Sequence, residues 1–125
     1  MKAQILYVGD ERQTVEFGRN LLEDLGYRVI ALTSILKAWE VFCNQFQEFD
    51  LVITDLNMPQ LTGVELVAEM VKVRPDLPTI VCLGSDEWVS PEIARKLNIR
   101  EFLRKPATIT DFISAIRRTL DFKQE

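Results

Sequence analysis

Histidine is absent from all 125 residues. That removes the Ser-His and Cys-His nucleophile pairs and the usual zinc sites, and the chain cannot itself carry a phosphohistidine. Cysteine is scarce, at two residues. Cys43 falls in a helical stretch and Cys82 in an apolar strand, so buried thiols are expected rather than a disulfide. No apolar run approaches membrane-spanning length, and the N-terminus lacks a signal-peptide pattern. Positive charge is not in excess: fifteen basic residues stand against nineteen acidic ones, for a net charge of −4. That balance attracts neither a nucleic-acid backbone nor an anionic membrane, so neither is an expected partner, and a soluble cytoplasmic protein is expected. Repeats, low-complexity tracts and internal linkers are missing, as are P-loop and dinucleotide fingerprints. What is present is 47% hydrophobic, enough for one well-filled core, and residues 1–125 read as a single domain.

The pattern alternates strand and helix. Gln4 to Val8 reads as a first strand, followed by Asp10 and Gln13 at the spacing of a helix cap and its partner. The helix carries Gly18, Leu21, Leu22 and Leu25 on one face and stops at Gly26. Arg28 to Leu32 is a second strand; Ser34 caps a helix striped by Ile35, Ala38, Trp39, Phe42 and Phe46. Leu51 to Thr54 is a short β-branched run of the kind buried on both faces. Thr62 and Glu65 have capping-box spacing and open a third helix. After the break at Arg74-Pro75-Asp76-Leu77-Pro78, Thr79 to Leu83 is a fourth strand and Ser90-Pro91-Glu92 a helix start. Glu101 to Leu103 is a brief fifth strand, and Thr108 or Thr110 caps a last helix bearing Ile109, Phe112, Ile113, Ile116 and Leu120. Such alternation predicts a doubly wound α/β domain with a parallel sheet and helices on both faces.

In a parallel sheet the C-terminal strand ends share one edge, the edge where open α/β sheets bind ligands. Asp10, Asp55 and Lys105 each lie just past a different strand end. Taken singly, Asp10 could cap its helix, Asp55 could bond its own turn, and Lys105 could be a solvated loop lysine. Their joint arrival at one edge is what chance explains poorly.

Asp55 with Met58-Pro59 and Gly63, Lys105-Pro106, and the acidic turn after the first strand resemble the receiver domain of two-component response regulators. The wording from Phe49 to Gly63 is especially similar to receivers attached to hybrid histidine kinases. The resemblance spans the chain and implies a flavodoxin-like receiver fold, five strands in the order 2-1-3-4-5 with five helices. It implies that Asp55 accepts a phosphoryl group from a histidine kinase or phosphotransfer protein, an acyl phosphate formed by carboxylate attack. It implies Mg2+, which needs only one or two carboxylates and keeps several waters; Asp10, Asp55 and the backbone carbonyl of Asn57 would be its protein ligands. Lys105 would contact a phosphoryl oxygen, and Phe102 falls where the family carries its switch aromatic. The fourth helix, fifth strand and fifth helix often form the family's dimer or partner face. The implied role is a signalling domain and not an enzyme with a separate substrate.

Two positions depart from the pattern. The acidic turn normally holds two carboxylates; Gly9 occupies the first place, which should weaken Mg2+ binding, and Glu11 is a candidate substitute if it folds back. Otherwise Glu11 complements the helix dipole. Leu83 stands where the family places a threonine or serine whose hydroxyl bonds the phosphoryl group, so the hydroxyl-to-aromatic switch should be damaged or replaced. Two functions follow: a phosphoacceptor with altered switching, or a degenerate pseudo-receiver that binds partners independently of phosphorylation. A flavodoxin-type flavin protein shares the architecture, but the acidic Gly9-Asp10-Glu11-Arg12-Gln13 turn would repel its phosphate. No output domain is expected within the chain, which ends soon after its fifth helix at Asp121-Phe122-Lys123-Gln124-Glu125.

Overall fold

Five parallel strands, β1 Gln4–Val8, β2 Arg28–Leu32, β3 Leu51–Asp55, β4 Thr79–Leu83 and β5 Ile99–Arg104, form one sheet in the order β2-β1-β3-β4-β5. The structure is a computed structural model and describes residues 2–124. Between the strands run α1 Arg12–Asp24, α2 Ile35–Gln45, α3 Gly63–Val73 and α4 Pro91–Lys96, and α5 Ile109–Gln124 follows β5. This is the doubly wound architecture expected from the alternation, with the flavodoxin-like strand order that the resemblance implies. No helix among the described residues is long and apolar enough to cross a membrane.

The central strands are buried along their whole length because both sheet faces are covered. One face packs Ile5, Tyr7, Ile53, Ile80, Cys82 and Leu103 against Leu22 of α1 and Ala115, Ile116 and Leu120 of α5. The other packs Leu6, Val8 and Val52 against Phe42 of α2 and Leu66 and Met70 of α3, with Val81 and Leu83 beside Ala94 of α4. Register pairs Val8 with Thr54, Asp55 with Cys82, and Leu83 with Arg104, so the strand ends are level at one rim.

Local chemistry fixes the helix starts. Ser34 and Ser90 accept the main-chain N–H groups of Lys37 and Ile93, and Thr62 and Glu65 form the full capping box. Thr108, rather than Thr110, caps α5 by accepting the Asp111 N–H at 3.0 Å. Gly26 follows α1 with φ +99°, a conformation that suits glycine.

Several expectations are corrected. Asp10 does not cap α1: the cap position is Glu11, without a side-chain cap bond, and Asp10 turns to the site instead. Phe46 lies in a 3-10 turn, Phe46–Glu48, and not in α2. Arg74 holds that turn by donating from Nη1 to the carbonyls of Phe46 and Phe49, 2.9 and 2.5 Å away. The fifth strand runs Ile99–Arg104, longer than Glu101–Leu103; a register shift at Thr79/Ile80 breaks the alternation that marks a strand. Helix α5 runs past Leu120 to Gln124, while Glu125 lies outside the described residues. Cys43 is exposed, on the solvent side of α2, whereas Cys82 is buried; both are free thiols.

Candidate functional site

Asp55 is the last residue of β3, and its main chain is fixed from three directions. The buried Thr54 hydroxyl donates to the Asp55 carbonyl at 3.0 Å. The Leu56 N–H donates to the Cys82 carbonyl at 2.9 Å, continuing the ladder beyond the strand. Gly63 opens α3 so close by that a Cβ there would lie 2.1 Å from the Asp55 carbonyl oxygen. Only glycine lets the helix start at this distance.

The side chain is 10% exposed, and both its oxygens have a donor. Lys105 Nζ lies 2.9 Å from Oδ1. The main-chain N–H of Asp10 reaches Oδ2 at 3.3 Å. Gly9 is what permits that approach: a Cβ at this position would stand 2.9 Å from Asp55 Oδ2 and 2.8 Å from Val15 Cγ2. Lys105 is held in turn by its own N–H, which donates to the Leu83 carbonyl at 2.7 Å.

Burial raises the Asp55 pKa above the ordinary carboxylate range, and the Asp10 charge adds to the rise; the Lys105 bond and charge and the Asp10 N–H offset only part of it. For Lys105 the balance is reversed. Burial disfavours its charge, yet the Asp55 carboxylate outweighs that and holds the ammonium above its usual pKa. The buried Cys82 thiol is pushed up to about 12, first by burial and then by Asp55, so it is neutral.

Asp10, Asp55 and Lys105 therefore converge on one cleft of about 370 Å³, which runs between α1 and α5. Tyr7 and Cys82 line the same cleft and were not among the residues singled out from the sequence. The available signal was the pairing of Asp55 with Cys82, which puts their side chains on one face, but register cannot be read from one sequence.

The other named positions are placed less centrally. Glu11 lines the cleft, but its Oε1 accepts the Thr14 hydroxyl at 2.5 Å, so it bonds the first turn of α1. Asn57 is exposed in the loop after β3. The Leu83 side chain packs with Val67, Val81, Ala94 and Ile99, away from the cleft rather than beside Asp55. Phe102 is 37% exposed on β5.

Among the described residues no group of three or more His, Cys, Asp or Glu side chains is arranged to hold a metal ion. Two carboxylates on one cleft that repel each other nevertheless suit a small divalent cation that retains most of its waters. On that chemistry Asp10 and Asp55 fit Mg2+.

Comparison with known proteins agrees with this geometry. The family model described as response regulator receiver domain matches residues 5–117. A receiver domain protein from Clostridium thermocellum superposes with a TM-score of 0.89 at 31% identity, covering 98% of this chain and 97% of that one. The non-phosphorylated HemR receiver domain of Leptospira biflexa gives 0.87 at 28% identity, over 95% of this chain and 94% of that one. Among curated relatives, the response regulator SaeR of Staphylococcus aureus is 26% identical over 116 residues, 93% of this chain and 50% of its own length. The DNA-binding transcriptional regulator NtrC of Azospirillum brasilense is 29% identical over 119 residues, 95% of this chain. The chain spans about half and a quarter of the lengths of these two relatives, at 50% and 24%.

Proposed function

The chain belongs to the response regulator receiver family, and from that premise we propose that it is a phosphoacceptor taking a phosphoryl group onto Asp55 from a phosphohistidine of a kinase or phosphotransfer protein. The observation that carries this reading is the Asp55–Lys105 contact of 2.9 Å at the common rim, with Asp10 on the same cleft.

In the step proposed, an Asp55 carboxylate oxygen forms a bond to phosphorus while the P–N bond to the donor imidazole breaks. The electron pair returns to that imidazole, which takes up a proton. Charge spreads over the phosphoryl oxygens, and Lys105 can follow it, because its ammonium is half exposed and already beside Oδ1. The Asp10 N–H holds Oδ2 and so orients the carboxylate. Mg2+, held by Asp10 and Asp55, would supply further neutralisation of the phosphoryl oxygens. The chain itself promotes only its own phosphorylation and hydrolysis and acts in the cytoplasm; it is not an enzyme on another substrate. Exposed Ile93 and Phe102 suit a homodimer contact through α4, β5 and α5.

A pseudo-receiver is the second reading, favoured by Gly9, which supplies no carboxylate, and by Leu83, which turns no donor to the site. Transfer of labelled phosphate from a phosphohistidine protein separates the two. Label on the wild type that is lost in Asp55→Ala supports the first; stable binding of that protein with no transfer supports the second.

A further inference from the structure

The loop from β4 to α4, residues 84–90, is tied by one side chain of the neighbouring strand. Arg104 Nη1 donates to the carbonyl oxygens of Gly84, Ser85 and Glu87 at 2.8, 3.3 and 3.2 Å. Glu87 closes the same turn from within: its Oε1 accepts the Gly84 N–H at 2.5 Å, and its own N–H donates to the Gly84 carbonyl at 3.2 Å. Three carbonyl dipoles aimed at one point repel one another, so the loop keeps this shape only with a cation there. The guanidinium stays charged at any working pH and is the group that supplies it.

Among the described residues the acceptor side chain makes no bond to this loop; the nearest link is the Lys105 N–H on the Leu83 carbonyl, 2.7 Å away at the loop's root. The Leu83 side chain, at the loop's root, is buried against α4 and has no donor. The hydrogen bonds that Asp55 makes go to Asp10, Lys105, Thr54 and the sheet, and none among the described residues goes to residues 84–90. Within the loop, Trp88 is 71% exposed directly after the clamped Glu87 carbonyl.

We propose that Arg104 is the positioning residue of the β4–α4 loop, holding it and Trp88 in one arrangement whether or not Asp55 carries a phosphoryl group. The second half of that statement rests on Asp55 being the acceptor; the clamp does not. Trp88 is then presented alike in both forms, and any state-dependent change falls to the loops that touch Asp55 directly, those after β1, β3 and β5.

The test is backbone amide NMR on the full chain. Without phosphoryl donor, Arg104→Met, which keeps the apolar stem, lets the Gly84 and Glu87 amides exchange about tenfold faster than in wild type. Arg104→Lys, which keeps a cation, restores most of that protection. Unchanged exchange in Arg104→Met overturns the clamp. With Mg2+ and beryllium fluoride as phosphoryl mimic, the Asp10 and Leu56 amides of the wild type shift while those of residues 84–88 stay in place. Loop amides that move with the site overturn the insulation. Absence of any shift at Asp10 and Leu56 counts against the phosphoacceptor reading instead, and the exchange comparison still decides the clamp.

Discussion

The ammonium of Lys105 stands 2.9 Å from Oδ1 of Asp55, and this contact, with the Asp10 N–H on Oδ2, offsets part of the burial that works against the carboxylate's charge. Lys105→Ala removes the only side-chain cation bonded to Asp55 among the described residues. Phosphorylation by acetyl phosphate should slow by about 100-fold, the scale of losing one preorganised donor to a developing anion. Initial rates by mass spectrometry check it; a change below threefold would remove Lys105 from the chemistry.

Asp55 also sets a pH dependence of stability. Its native pKa lies above the ordinary 3.8, so the folded state holds the proton more tightly than the unfolded chain. Stability therefore falls as pH rises from about 4 through the native pKa, and below that window the penalty is absent. Lys105 has the opposite role, contributing stability that is lost only as pH rises through its own elevated pKa. Asp55→Asn should raise stability at pH 7 by roughly 1 kcal/mol, a rise in melting temperature of a few degrees, with no gain near pH 3. Thermal melts at the two pH values measure this.

Glycine positions give a graded steric test. In Gly63→Ala the new Cβ meets the Asp55 main-chain oxygen, which cannot yield, and roughly 3 kcal/mol or more should be lost. In Gly18→Ala the Cβ would fall 2.4 Å from Tyr7 Cε2, a side chain that can turn. The cost should be about 1–3 kcal/mol, and in the double variant with Tyr7→Val the two changes should cost less than their sum. Urea unfolding of the four proteins checks the coupling.

Gly9→Asp restores the carboxylate that the family pattern carries, but its Cβ crowds Asp55 Oδ2 and Val15. Without Mg2+ it should be less stable than the wild type by about 1 kcal/mol, through crowding and charge repulsion. Mg2+ should then raise its melting temperature more than that of the wild type, because the added ligand tightens binding to the folded state only. Equal responses to Mg2+ would contradict the ligand assignment.

The fold was legible because buried parallel strands leave β-branched runs, and because Ser34, Thr62, Ser90 and Gly26 are local signals that the structure uses as local chemistry predicts. The convergence of Asp10, Asp55 and Lys105 followed from topology alone, since each sits at or just past a strand end. What escaped depended on neighbours distant in sequence. Cys82 and Leu83 are adjacent, yet one lines the cleft and the other packs on α4, a parity fixed by pairing with β3. Asp10 has the spacing of a helix cap, but the gap left by Gly9 draws its N–H to Asp55 instead. The Arg104 clamp joins residues up to 20 apart and leaves no local pattern.

Intact-mass measurement after incubation with Mg2+ and acetyl phosphate, or with a phosphohistidine donor, bears most directly on the whole account. The wild type should gain the mass of one phosphoryl group and Asp55→Ala none. An unmodified wild type with either donor, or an equal gain in Asp55→Ala, would contradict the assignment of Asp55 as the acceptor.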